Sequence, residues 1–143
     1  MKSLILINLI VLSSSFAVQS EEENVKSVVL TAYVGGIHNG GPIDDIRKGF
    51  HPSFNMIRLN NNEVSPLSIE DWIKNIEKSR SSGNPNSTKT EAKFIHVDVV
   101  GHSANVELEL FKGGNKIFTD HLLLYKFEEG WRIVSKTFYR HPQ

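Results

Sequence analysis

Apolar residues recur at helical spacing from Glu21 to His38: Val25, Val28, Val29, Ala32, Tyr33 and Ile37 share one stripe. Glu21, Glu22 and Glu23 stand where acids favour a helix N-terminus, and Asn39-Gly40-Gly41 supplies the stop. Pro42 suits the first turn of a second helix, with Ile43, Ile46 and Phe50 on one side and an end before His51-Pro52. Phe54, Met56, Ile57 and Leu59 then predict a strand, Asn60-Asn61-Asn62 its turn, and Glu63 to Ser65 a short partner. A third helix follows Ser68 as N-cap, with Ile69, Trp72, Ile73 and Ile76 as its stripe through about Lys78. Ser79 to Thr90 is polar, contains Gly83 and Pro85, and reads as an exposed loop.

From Thr90 the period changes from helical to two. Thr90 to Val100 alternates in part, and Ser103 to Phe111 alternates cleanly, with Ala104, Val106, Leu108 and Leu110 opposite Asn105, Glu107 and Glu109. Lys112-Gly113-Gly114-Asn115 returns the chain into Lys116 to Phe127, and a second tight turn at Glu128-Glu129-Gly130 leads into the last strand. A Glu129-Gly130 loop would set Phe127 against Arg132, Tyr125 against Val134 and Leu123 against Lys136. His121, Leu123, Tyr125, Val134, Lys136 and Phe138 would then share one face, and Leu122, Leu124, Trp131, Ile133, Ser135 and Thr137 the other. Both faces are largely apolar, so both are expected to be covered.

Segregated helices followed by a strand meander specify α+β: three N-terminal helices packed on a curved antiparallel sheet that forms a conical pocket. The 143 residues suffice for one domain with a core and are too few for two. Met1 to Ser20 has Lys2, an apolar stretch from Leu4 to Leu12, and small residues from Ser13 onward, the pattern of a signal peptide cleaved after Ala17 or Ser20. The expected mature protein is exported, periplasmic or secreted, a single domain over residues 21–143 without a stable membrane span. Sixteen basic and sixteen acidic residues balance, and no basic stripe invites nucleic acid. The absence of cysteine excludes disulfides, thiol nucleophiles and thiolate metal sites.

Two segments carry a resemblance. Val28 to Met56 (VVLTAYVGGIHNGGPIDDIRKGFHPSFNM) and Asp120 to Lys136 (DHLLLYKFEEGWRIVSK) resemble the opening helix pair and closing hairpin of the nuclear transport factor 2-like superfamily. That superfamily, with its cystatin-like α+β roll, includes ketosteroid isomerases and SnoaL-type cyclases. The details are most similar to the subgroup labelled putative lumazine-binding. By this resemblance Tyr33 matches the isomerase tyrosine that donates to an oxyanion, a task that suits a phenol in a dry cavity. Arg58 falls where the isomerase base would be and Leu123 where its second, acidic donor would be, so isomerase chemistry is not expected and no catalytic residue is assigned. The resemblance also implies a homodimer through the outer sheet face.

The hairpin register and the resemblance select the same face, so Tyr33, His121, Leu123, Tyr125, Lys136 and Phe138 are expected to converge on one cavity. Trp72 would roof it, with Phe54, Met56 and Arg58 at its border. Lys136 in such a site would be partly desolvated, or would pair with a carboxylate or reach the rim. The six histidines show no HxH or HExxH spacing; His96 and Asp98 share a strand face but lack a visible third ligand, so neither metal nor cofactor is expected. Three classes of function remain. The first is an exported, non-catalytic binder of a small apolar or aromatic molecule. The second is a lyase-, isomerase- or hydrolase-like enzyme in the same pocket, and the third an interaction module whose cavity is filled.

Overall fold

The computed structural model describes residues 19–83 and 88–143. Most of the segment read as a signal peptide lies outside the described residues. Helix α1 (Glu21–Val28) is capped by Ser20, whose side chain accepts from the Glu23 amide, and continues as a π-helix over Val29–His38. Helix α2 spans Ile43–Gly49, strand β1 Phe50–Asn60, strand β2 Glu63–Ser68 and helix α3 Ile69–Ser81. Four long strands follow: β3 (Thr90–Val100), β4 (Ser103–Lys112), β5 (Asn115–Phe127) and β6 (Gly130–Arg140). The expected order of elements and the α+β class hold.

The six strands form one sheet in the order β2-β1-β6-β5-β4-β3, antiparallel except where β1 runs parallel to β6. That pairing brings the first strand beside the last, and Met56 lies level with Lys136. Phe50, expected at the end of the second helix, instead begins β1 and is buried, because Gly49 ends α2 and the chain turns directly into the sheet. The helices approach closely: a Cβ on Gly49 would lie 2.2 Å from Ala32 Cβ, and one on Gly36 would lie 2.5 Å from Ile46 Cγ1. Glycine at both places lets α2 seat against the π-helical half of α1.

The closing hairpin departs from the expected register. Its two-residue loop is Glu128-Glu129, with Phe127 opposite Gly130, Lys126 opposite Trp131, Tyr125 opposite Arg132 and Leu124 opposite Ile133. The register then shifts, so that Leu123 faces Ser135 and Leu122 faces Lys136. Val134 is the extra residue of a β-bulge, which changes the side-chain parity along β6. Trp131 and Ile133 before the bulge, and Lys136 after it, all point inward with Asp120, Leu122 and Leu124 of β5. Leu122, Leu124, Trp131 and Ile133, expected on the outer face, are core. The core also holds Val25, Val29, Tyr33, Ile46, Phe50, Phe54, Ile73, Leu108 and Leu110, sandwiched between helices and sheet. Burial of this apolar layer is what holds the fold together, each large side chain contributing about 1.5–3 kcal/mol.

Candidate functional site

Inside the core, polar groups meet at one place. Alternation along β5 turns Asp120 inward with Leu122 and Leu124, and the bulge on β6 turns Lys136 inward as well. Asp120 is 0% exposed and Lys136 4%. Tyr33 reaches the same point from α1, donating its hydroxyl hydrogen to Asp120 Oδ2 at 2.6 Å. Lys136 Nζ lies 2.9 Å from Asp120 Oδ1, a buried ion pair.

Rings surround the ammonium. Its nitrogen is 4.3 Å from the ring centre of Phe138, 5.1 Å from Tyr33, and 5.8 Å from both Trp72 and Phe118. Met56 Sδ stands at 4.0 Å. A desolvated cation gains from ring faces, which supplement the single carboxylate. Trp72 comes from α3, where its stripe faces the sheet, and stacks on Phe54 at 6.1 Å. His38, at the end of the π-helical segment, packs edge-on to Tyr33 at 4.8 Å, and its Nε2 is buried without a hydrogen-bond partner among the described residues.

Burial and charge set the protonation states. Burial is the main cause that raises the Tyr33 hydroxyl well above its ordinary value; the Asp120 charge and the hydrogen bond to it act in the same direction. The phenol therefore stays protonated as a donor. Burial lowers the Lys136 amine, and the contact with Asp120 opposes that fall. His38 is pushed down to about 3, first by burial and then by the charges of Lys136 and Lys112, so its ring is neutral at physiological pH.

Of the residues selected from the sequence, Tyr33, Phe54, Met56, Trp72, Lys136 and Phe138 gather around this point. Arg58 follows Met56 on the inner face of β1; its Nε is buried and unpartnered among the described residues, and its Nη2 reaches the Pro66 carbonyl at 3.5 Å. His121, Leu123 and Tyr125 do not join them. The register places all three on the outer face, where they are exposed, because β5 alternates oppositely to the expectation. Leu123 therefore does not occupy an inner acid position. Asp120, which the sequence reading missed, supplies an inner carboxylate three residues earlier, and it shares the parity of the buried Leu122 and Leu124. His38 and Phe118 were missed as well. Among the described residues no cluster of three or more metal-ligating side chains occurs, and no helix is long and apolar enough to cross a membrane.

A groove of about 430 Å³ opens elsewhere, between α1, α2 and the β5–β6 turn, lined by residues such as Ser27, Thr31, Lys48, Lys126 and Trp131. Its indole is already satisfied, since Trp131 Nε1 donates to Glu21 at 2.6 Å. None of the sequence-selected residues lines it. The buried nitrogens without partners among the described residues, His38 Nε2 and Arg58 Nε, lie outside this groove.

The fold is shared by solved structures of low sequence identity. A nuclear transport factor 2-like protein of unknown function from Shewanella baltica OS155 is 22% identical with a TM-score of 0.66, covering 86% of this chain and 95% of its own. Another from Silicibacter pomeroyi DSS-3 is 20% identical with a TM-score of 0.66, covering 83% and 94%. A domain of unknown function with a cystatin-like fold from Nostoc punctiforme PCC 73102 is 15% identical with a TM-score of 0.63, covering 89% and 81%. No curated protein matches the chain. The family described as "Putative lumazine-binding" matches residues 20–139, nearly the whole described structure. The chain belongs to that family, and it shares the fold of solved nuclear transport factor 2-like proteins.

Proposed function

We propose that the protein is an exported, non-catalytic binder of a small apolar or aromatic molecule, held at the end of the inner sheet face where Lys136, Asp120 and Tyr33 meet. One observation carries this reading: a buried ion pair ringed by four aromatic side chains, with His38 Nε2 and Arg58 Nε left without hydrogen-bond partners among the described residues. A buried ion pair is a poor stabilising device, since apolar side chains of similar volume are often as good or better. Unmet buried polar groups call for a reason beyond folding. Apolar walls with a few convergent polar groups are the usual make-up of a small-molecule site. The family description supports a ligand-binding fold.

Native mass spectrometry of protein isolated from its own host tests the reading. A co-purified small molecule is expected on the wild type and absent from the double variant Asp120→Leu/Lys136→Met, in which apolar replacement of the whole pair keeps thermal stability comparable. If no molecule is found and the double variant merely raises the melting temperature, the interior is packed core and the interaction-module reading replaces this one.

A proton-transfer enzyme is the second reading, favoured by the contact of Tyr33 with Asp120. That contact supplies the carboxylate which the sequence match to isomerases lacked. Asp120 is engaged by both Tyr33 and Lys136, however, and so is poorly placed to act as a free base. Solvent deuterium entering an enolisable ketone in the presence of the protein, and not with Asp120→Asn, would establish catalysis.

Export would remove the leader after Ala17 or Ser20. The Ser20 cap on the Glu23 amide favours cleavage after Ala17, which keeps that cap. A homodimer through the outer sheet face belongs to the same reading, with Leu123 and Tyr125, 51% and 52% exposed, as its apolar patch.

A further inference from the structure

The polar cluster has a charged rim that says what the ligand carries. On the inner face, Met56 lies level with Lys136, Asp120 pairs with Phe138, and Phe118 pairs with Arg140. Period-two alternation carries Arg58 onto the same face, one step along β1 from Met56, with its Nη2 toward the Pro66 carbonyl of β2. The Arg140 guanidinium lies 5.2 Å from the centre of the Phe118 ring. Lys136 and Arg140 thus stand over Phe138 and Phe118, with Arg58 farther along β1.

The balancing acid is spent. Asp120 is tied to Tyr33 and Lys136. Neither Arg58 nor Arg140 takes part in an ion pair among the described residues. Arg58 has its Nε buried and only a long contact from Nη2 to a carbonyl. An arginine buried at its Nε gives up hydration there, and a planar acceptor with two oxygens matches its fork. The chain as a whole has no net charge, so this end is a local positive surplus rather than part of a basic protein.

We infer that the ligand is an aromatic anion: a carboxylate or similar group received by Arg58, and a flat apolar body laid against the partly buried rings of Trp72, Phe118 and Phe138. Arg140, exposed on Phe118, draws the anion toward the rim. This assignment rests on the binding reading above and narrows it to one charge class.

Matched probes separate the two claims. Isothermal titration calorimetry on the full exported chain would compare 1-naphthoate with 1-naphthamide, which has nearly the same shape and no charge. The acid is expected to bind at least about tenfold more tightly, as charge-assisted hydrogen bonds are roughly twice as strong as neutral ones. High salt and Arg140→Met should each reduce that preference, and Arg58→Met should abolish it at an unchanged melting temperature. If Arg58→Met fails to fold, Arg58→Lys keeps the charge without the fork and should retain only part of the preference. Equal affinity for acid and amide overturns the charge assignment while leaving the binding reading intact. Failure of the wild type to bind either probe overturns the assignment outright, and a co-purified neutral ligand would then preserve the binding reading alone.

Discussion

Tyr33, in the π-helical half of α1, donates its hydroxyl hydrogen to Asp120 Oδ2 on β5 at 2.6 Å, across 87 positions of chain. The bond fastens the first helix to the inner face of the sheet at the point where Lys136 also arrives. Widened helical turns are frequent at functional sites, and this segment aims Tyr33 and His38 at the same cluster.

Removing Asp120 alone should therefore be far worse than removing the pair. Asp120→Leu leaves the Lys136 ammonium buried without a counter-charge, at a cost of about 3–5 kcal/mol. Asp120→Leu combined with Lys136→Met should recover most of that loss, since an apolar replacement of a buried pair is often neutral or better. Urea denaturation of the three proteins reads this directly. Equal destabilisation by the single and double variants would show that the pair is not coupled as its geometry requires.

His38 makes the fold sensitive to acid. Its folded value of about 3 lies below its ordinary 6.5, so between these the unfolded chain binds the extra proton. Stability must then rise with pH across roughly 3 to 6.5, and fall as pH drops through that window. The groups facing the ring are Tyr33, Lys136 and Lys112, with Asp120 behind Tyr33. His38→Gln should flatten the slope of the unfolding free energy in that interval while leaving the carboxylate titrations in place. A wild-type slope unchanged by His38→Gln would mean that the ring is charged in the fold.

The order of elements was legible because helical and alternating periods are long here and separated by Gly, Pro and Asn. The pairing of the closing hairpin was not. One extra residue at Val134 reverses the parity of the strand, and no residue type announces a bulge. With the loop also displaced by one residue, His121, Leu123 and Tyr125 were assigned inward when they point out. Lys136 and Phe138 kept their assigned face because they follow the bulge. Asp120 could have been found from its parity with Leu122 and Leu124 once those two were taken as core. The parallel pairing of β1 with β6 depends on contacts between distant segments, which local patterns do not encode.

Gly49 tests how tightly α2 sits on α1. A Cβ there would come within 2.2 Å of Ala32 Cβ, both on short side chains that cannot swing away. Gly49→Ala should destabilise by about 1–3 kcal/mol, the usual range for overpacking a filled core. The effect should be much smaller in Gly49→Ala combined with Ala32→Gly, which removes the colliding methyl. A melting temperature unaffected by Gly49→Ala would show that the helices can part without loss.

Leu123→Trp separates the inner face from the outer one. Leu123 is 51% exposed and lies on the outside of the sheet, between Asn105 of β4 and Ser135 of β6. A larger side chain there meets no core, so the stability of the single chain should change by less than about 0.5 kcal/mol, as for ordinary surface substitutions. Binding in the inner cluster should be untouched, because the sheet itself separates the introduced indole from Lys136. Leu123→Lys reads the same position for assembly. An outer face that pairs with a second copy brings each Leu123 into an apolar contact, and a buried unpaired ammonium there is costly. Light scattering at equal protein concentration should then show the wild type as a dimer and Leu123→Lys as a monomer, with both melting cooperatively. A wild-type mass of one chain would remove the dimer from the reading and leave Leu123 and Tyr125 as ordinary exposed residues. A fall in ligand affinity with Leu123→Trp would mean that the outer face, not the Lys136 cluster, is where the molecule binds.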